Sequence, residues 1–482
     1  MIRRSLFYAF ADKAAGLVLA LLTMAIVSRL MTPAEVGLFM VASSLVIMVE
    51  TFRDFGVGAF LIQEAELTPE IIRSAVTVTT LLSLALGGLI YAGAGLAGAV
   101  YGNADLTQLI QIASLGFLAA PISNPLLALL RRDMRFGAVA GISFSMALVN
   151  SATTILLAAA GYGAYSFVWG SVMAAGVTAI GAVICQPQLW ILSPSLKHWR
   201  RVVPFGAWSS VVTLLGMLYD AIPRLLLGRL IGFDAVGLFS RAVSLTQLPD
   251  KLMLSAIQPV VLSALSAKAR AHENLLEPYM LGLSLISVIQ WPALATIVVL
   301  ADPIVRILLG PQWLDVIPLV RIVALAAIPT CTNYLTFPLL VALGQLRKMA
   351  LVSLVTLPLS IAVILLAAPL GLTVVAWAMV LANVIQVGSM LTVVHRHLAF
   401  VGVDIRKFVR LGLTVTACSI AVPLAMVAVL GPSLSIPMMI LATVGAVAGW
   451  AVGLGVLSHP LAAEFTRLVT VLRQLNPWPR AA

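Results

Sequence analysis

Apolar runs follow one another along nearly the whole chain, and polar positions collect in short breaks between them. Each run is about as long as the ~20 residues an α-helix needs to cross a bilayer. Polar and apolar residues do not alternate within the runs, which argues against a membrane barrel. The pattern predicts fourteen spans, near 8–30, 35–60, 72–101, 106–130, 138–160, 162–185, 203–229, 234–264, 275–302, 315–342, 347–368, 371–397, 407–430 and 436–457. The expected fold class is an all-α polytopic membrane protein.

The pattern also repeats. Residues 27–46 and 227–246 align without a gap at an offset of 200. They share Arg29/Arg229, Leu30/Leu230, Val36/Val236, Gly37/Gly237, Leu38/Leu238, Phe39/Phe239, Ala42/Ala242, Ser44/Ser244 and Leu45/Leu245, and Glu50 and Asp250 keep the same offset. Six spans separate the copies, and an even number preserves orientation. The repeat is therefore parallel, related by an axis along the membrane normal. It implies two six-helix lobes, 1–185 and 203–397, joined by a linker, 186–202, with helices 13 and 14 and a tail in 398–482.

Composition agrees with a membrane protein. Of 482 residues, 61% are hydrophobic and 10% are charged, against about 25% charged in soluble domains. The net charge of +11 is spread through the breaks rather than gathered in one patch, which is a topology pattern and not a nucleic-acid surface. About 20 of the 29 Lys and Arg fall on one side, among them Arg131, Arg132, Arg135, Lys197, Arg200, Arg201, Arg347 and Lys348. Both termini are expected to be cytoplasmic. Met1–Arg4 read as a basic cap on the first span, with no cleavage site after it. Cys185, Cys331 and Cys418 stand singly, with neither disulfide nor metal-ligand spacing. No Gly-rich phosphate loop or nucleophile elbow is present, so neither a cofactor nor enzymatic chemistry is expected.

Ionisable residues deep in spans are costly and default to a functional reading. Here they fall on the repeated hairpins: Asp12 and Lys13 in span 1; Glu50, Arg53 and Asp54 in span 2; Asp220 and Arg224 in span 7; Arg241, Asp250 and Lys251 in span 8. The middles of the other ten spans carry none. Glu50, Arg53 and Asp54, at i, i+3 and i+4, share a helix face, and Asp220 and Arg224 at i, i+4 can pair. Pro249 is positioned to kink span 8 beside Asp250. Two readings stand. The charges line a water-filled cleft between facing hairpins, or they are salt bridges that brace the bundle. Asn150 and Thr154 in span 5, and Asn383 and Gln386 in span 12, fit interhelical hydrogen bonds better than a cleft.

Five segments then carry a resemblance: Phe52-Arg-Asp-Phe-Gly56, Leu130-Arg-Arg-Asp-Met-Arg-Phe136, Asp220 with Leu227-Gly-Arg-Leu-Ile-Gly232, Val236-Gly-Leu-Phe-Ser-Arg-Ala242, and Leu309-Gly-Pro-Gln-Trp313. In this order they resemble Wzx-type flippases of the polysaccharide transporter family, within the multidrug/oligosaccharidyl-lipid/polysaccharide exporter superfamily and nearest its colanic-acid and exopolysaccharide branch. The resemblance implies a bacterial inner-membrane protein that moves an undecaprenyl-pyrophosphate-linked glycan from the cytoplasmic to the periplasmic leaflet. A polysaccharide polymerase and a chain-length regulator would be its partners. Lys13, Arg53, Arg224, Arg241 and Lys251 would be cations for the pyrophosphate, and Glu50, Asp54, Asp220 and Asp250 carboxylates for a coupling proton or Na⁺. Two other classes stay open. One is a drug or cation antiporter of the same superfamily, which would need a more acidic cleft. The other is a membrane polymerase or glycosyltransferase, which would need a large extramembrane loop or a catalytic constellation.

Overall fold

Each apolar run winds into helix because a backbone in hydrocarbon must satisfy its own N–H and C=O groups. A computed structural model of the chain describes residues 2–54, 57–64, 66–199, 217–219, 221–251, 265, 268, 271, 273–398 and 402–456. All regular structure among them is helical. The helices are α1 (Ile2–Leu30), α2 (Pro33–Asp54), α3 (Val57–Gln63), α4 (Pro69–Tyr101), α5 (Ala104–Ser114), α6 (Gly116–Arg132), α7 (Phe136–Ala159) and α8 (Tyr165–Cys185). They continue as α9 (Phe233–Thr246), α10 (Leu276–Val299), α11 (Ala301–Leu308), α12 (Val316–Ala327), α13 (Asn333–Ala342), α14 (Leu346–Ala367), α15 (Leu372–Leu398), α16 (Gly402–Leu430) and α17 (Ile436–Val456). Residues 221–230, ahead of α9, are helical as well.

Eleven described stretches are long and apolar enough to cross a membrane, and Ala15–Leu30 adds a shorter one. The expected spans near 203–229 and 234–264 lie partly outside the described residues. The chain is an all-α polytopic membrane protein.

Two expected spans are interrupted. The 106–130 run breaks at Leu115, between α5 and α6, ahead of Pro121 and Pro125. The 315–342 run breaks into a 3-10 turn at Pro329–Thr332 between α12 and α13. At Leu115 the turn tightens, with Leu115 N donating to Ile112 O at 3.1 Å, and at Pro329 proline removes a helical N–H; an apolar run continues through both, so hydropathy alone passes over the breaks.

Helix ends are set by local chemistry. Thr32 and Glu35 form a capping box ahead of α2: Thr32 N donates to Glu35 Oε2 at 2.7 Å, and Glu35 N donates to Thr32 Oγ1 at 3.3 Å. Gly102, at φ 64°, ends α4 in the left-handed region. Asn103 caps α5 by accepting from Leu106 N at 3.0 Å.

The helices cluster into two compact units. The first comprises Met1–Arg241, Leu308–Trp313 and Ile361–Val375. Its core joins Phe60 and Leu61 of α3, Ile71, Ala75 and Val76 of α4, Leu126 and Leu129 of α6, and Ala182 of α8. Two arginines of the 130–136 segment clamp helix ends where carbonyls lack helical partners. Arg132 Nη1 donates to Leu61 O at 2.8 Å and Glu64 O at 2.6 Å. Arg135 Nη1 donates to Cys185 O and Gln186 Oε1, both at 2.9 Å. The stretch after α8 is strapped onto α4: Ser195 N donates to Thr77 Oγ1 at 2.9 Å, His198 N donates to Ser74 Oγ at 3.2 Å, and Lys197 Nζ lies 2.9 Å from Glu70 Oε2.

The second unit comprises Ala242–Ile307, Leu314–Ser360 and Ala376–Ala482. Tyr279, Leu283, Ile286, Trp291, Cys331, Leu335, Leu339, Val394 and Phe408 form a core within it. Trp291 donates from Nε1 to Ile328 O at 3.0 Å and meets Phe408 edge-on at 5.4 Å. α16 and α17 meet through a glycine stripe, Gly445, Gly449 and Gly453. A Cβ at Gly445 would lie 2.9 Å from Val422 Cβ, and one at Gly453 would lie 3.2 Å from Cys418 Cβ. Small residues four apart let membrane helices approach this closely.

Candidate functional site

The repeat has a physical consequence in the first unit. The N-terminal turns of α2 and α9 cross, and each crosses at its glycine. A Cβ at Gly37 would overlap Phe233 O and lie 2.8 Å from Gly237 N. A Cβ at Gly237 would overlap Pro33 O and lie 2.8 Å from the Pro33 carbonyl carbon. Pro33 and Phe233 are themselves repeat equivalents, so the contact is made twice about a local two-fold. Both helix N-termini therefore sit at one end of the unit, as expected for a repeat of unchanged orientation.

The Leu309–Trp313 segment braces this end. Trp313 is fully buried. Its Nε1 donates to Ser28 O at 2.6 Å, and Gln312 donates to Ser28 O and, at 2.8 Å, to Met31 O. These are carbonyls of the last turn of α1 and of the residue after it, where helical partners run out. Arg241 is 5% exposed. Its guanidinium lies over the Trp313 ring at 5.4 Å, and its Nε and Nη2 have no hydrogen-bond acceptor among the described residues. Tyr101 OH donates to Leu225 O at 3.0 Å, and its ring stacks on Phe233.

Further along α2, Glu50 and Arg53 line a cavity of about 360 Å³. Its walls come from α2, α5, α6 and α8, with Ser43, Ser123, Asn124, Ser171 and Thr178 as the other polar side chains. Arg53 Nη1 donates to Glu50 Oε1 at 3.1 Å. Arg53 is 8% exposed, and its guanidinium rests on the Phe117 ring at 4.9 Å. Phe117 reaches that position because α4 carries Gly87 there, where a Cβ would lie 2.9 Å from Phe117 Cβ. The guanidinium is thus fixed by a carboxylate on one side and an aromatic face on another.

In the second unit, Asp250 is half-buried. Its Oδ1 accepts from Gln290 Nε2 at 2.7 Å, and it shares a hydrogen bond with Tyr334. Gln290 Oε1 is buried with no donor among the described residues. Lys251 is exposed and Arg224 half-buried. The side chains of Asp12, Lys13 and Asp54, and Asp220 altogether, lie outside the described residues. Among the described residues no three His, Cys, Asp or Glu converge as metal ligands would.

The structure thus brings Glu50 and Arg53 together. Two repeat-equivalent acids have different partners among the described residues: Glu50 pairs with Arg53, and Asp250 accepts from Gln290. Sequence reasoning missed the polar walls of the cavity. Asn124 between Pro121 and Pro125 was the available signal. Asn150 and Thr154 pack against Gly170 of α8, where a Cβ would lie 2.9 Å from Asn150 Oδ1, in keeping with interhelical contact.

A family model described as "Polysaccharide biosynthesis protein" matches residues 26–318. The lipopolysaccharide biosynthesis protein WzxC of Escherichia coli (strain K12) is 25% identical over 321 residues, 64% of this chain and 63% of that protein. The teichuronic acid biosynthesis protein TuaB of Bacillus subtilis (strain 168) is 22% identical over 326 residues, 64% of this chain and 65% of its own. The match therefore spans just under two thirds of either relative. Among solved structures, the lipid II flippase MurJ in an inward closed conformation superposes with a TM-score of 0.74 at 14% identity, covering 95% of this chain and 99% of that one. The fold is shared with that protein.

Proposed function

Because the chain belongs to the polysaccharide biosynthesis protein family, we propose that it flips an undecaprenyl-pyrophosphate-linked oligosaccharide across a bacterial inner membrane, from the cytoplasmic to the periplasmic leaflet. The observation that carries this reading is the Glu50–Arg53 cavity, a space of about 360 Å³ inside a membrane bundle of this family, whose walls set an ion pair, four hydroxyls and an amide among apolar side chains. A glycan and a pyrophosphate must cross about 30 Å of hydrocarbon. A lipid tail can stay in the bilayer while the headgroup passes along polar walls. One similar protein is named for lipopolysaccharide biosynthesis and another as a lipid II flippase, which supports the substrate class.

In this reading Lys13, Arg53, Arg224, Arg241 and Lys251 are the cations available to the anionic headgroup. Arg241, with donors not yet spent within the described residues, is well suited to a phosphate oxygen once the crossing of α2 and α9 opens. Among the carboxylates Glu50, Asp54, Asp220 and Asp250, we assign coupling to Asp250. Asp250 is half-buried and accepts from Gln290 with no cation beside it among the described residues, which leaves the carboxylate for a proton or Na⁺. The two lobes, 1–185 and 203–397, would alternate access, with both termini cytoplasmic and a polymerase and chain-length regulator receiving the product. The antiporter would need a more acidic cleft, and the cavity's described carboxylate, Glu50, is paired with Arg53.

Depletion of the protein in its host tests this reading. Lipid-linked glycan should accumulate in the cytoplasmic leaflet while its synthesis continues. Unchanged polymer export on depletion would remove the reading.

A further inference from the structure

The wall chemistry of the Glu50–Arg53 cavity distinguishes between the two ends of the proposed substrate. Four hydroxyls line it, and each has its hydrogen committed to its own helix. Ser43 Oγ donates to Met40 O at 3.1 Å, Ser123 Oγ to Ala119 O at 3.2 Å, Ser171 Oγ to Val168 O at 2.7 Å, and Thr178 Oγ1 to Ala174 O at 2.7 Å. Such back-bonding is usual for Ser and Thr in helices, and it leaves the oxygen lone pairs as what the cavity sees. Glu50 adds carboxylate acceptors. The one cationic wall group among the described residues, Arg53, already donates to Glu50. Asn124 brings both an acceptor and amide donors, and the rest of the lining is apolar, with Phe39, Val46, Ile47, Val168 and Val172. Among the described polar wall groups acceptors predominate, and they are set in apolar surface that the C–H faces of a ring can meet.

We propose that this cavity is a subsite for an uncharged pyranose ring of the glycan, and that Arg53 serves the sugar rather than the pyrophosphate. The proposal rests on the flippase reading and deepens it. A pyrophosphate carries only acceptors, so four lone-pair walls and a carboxylate would oppose it. Sugar hydroxyls both donate and accept, so each can satisfy one wall oxygen while facing the Arg53 or Asn124 side of the cavity. A bare metal cation needs ligands on all sides at about 2.3–2.6 Å, and this space is far larger than that. Its volume falls at the small end of the about 300–1,000 Å³ range of small-molecule pockets, as one or two rings require.

The test uses the full-length protein in lipid nanodiscs, with Cys185, Cys331 and Cys418 replaced by alanine. Ser171→Cys on one wall reports by its rate of maleimide modification, and Ser123→Cys on another wall is an independent reporter. The probes are methyl pyranosides of glucose, galactose, mannose and N-acetylglucosamine, with sodium pyrophosphate and sodium chloride against choline chloride as the other arms. A glycoside bound with a Kd of about 10 mM and supplied at about 100 mM slows labelling about tenfold. We expect that slowing from at least one glycoside and none from pyrophosphate or sodium. Thr178→Val keeps the shape and removes one acceptor, and should weaken protection about three- to tenfold while the unprotected rate stays the same. Protection by pyrophosphate, by sodium alone, or by no glycoside overturns the subsite. Failure of the wild-type protein to move any lipid-linked glycan in proteoliposomes would instead overturn the flippase reading. Glycoside protection is scored separately from that result.

Discussion

Gly37 and Gly237 make the same contact from opposite sides: each lies against the carbonyl that begins the other's helix. Neither position has room for a side chain, and the two are equivalents in the repeat. Gly37→Val and Gly237→Val should each lower stability by about 1–3 kcal/mol through overpacking. The double variant should cost less than the sum, because one clash already parts the crossing. Thermal unfolding of the purified variants measures this. Simple additivity would mean the two glycines do not share one contact.

Arg53→Ala should cut export of lipid-linked glycan by about tenfold or more per mole of inserted protein, since it removes a charge-assisted donor from the cavity wall. Arg53→Lys keeps the charge without the planar fork and should retain part of the activity. Gly87→Val, which leaves the cavity wall untouched but displaces Phe117 from beneath Arg53, should behave as a milder Arg53 defect. If export per mole is unchanged in Arg53→Ala and only the amount of protein falls, the pair braces the bundle and does not meet substrate.

Asp250→Asn keeps the size and removes the charge. A pH difference of about one unit drives one proton with about 1.4 kcal/mol, a factor of about ten. The stimulation of transport by an imposed proton or Na⁺ gradient should disappear in Asp250→Asn and persist in Glu50→Gln, whose parent carboxylate already faces Arg53. The opposite pattern would move coupling to Glu50.

Ala104 and Asp133 lie at the two ends of the α5–α6 stretch and are exposed. Cysteines there should label from opposite sides of the membrane, Ala104→Cys from the periplasm and Asp133→Cys from the cytoplasm, as the Lys and Arg distribution requires. These positions spare Asn103 and Arg132, which hold helix ends. Periplasmic labelling at Asp133→Cys would reverse the orientation.

The helical membrane fold was legible because length and hydropathy suffice for it, and the repeat because Val-Gly-Leu-Phe recurs with an arginine at a fixed distance. Glu50 and Arg53 were legible as a pair from their i, i+3 spacing. Other features were not. Leu115 and Pro329–Thr332 interrupt helices inside unbroken apolar runs, so no change in hydropathy marks them. Gln290 and Tyr334 reach Asp250 from helices far along the chain. Ser43, Ser123, Ser171 and Thr178 read as ordinary helix-bonded hydroxyls, and only their convergence on one cavity gives them a further meaning. Arg132 and Arg135 read as topology charges, and in the structure they also close two helix ends.

The most direct measurement is reconstitution. Purified protein in proteoliposomes, supplied with an undecaprenyl-pyrophosphate-linked oligosaccharide in the outer leaflet only, should make that glycan inaccessible to an external glycosidase far faster than protein-free vesicles do. Arg53→Ala should be slow at equal protein density. A wild-type rate no greater than that of empty vesicles, with correctly inserted and folded protein, would contradict the account.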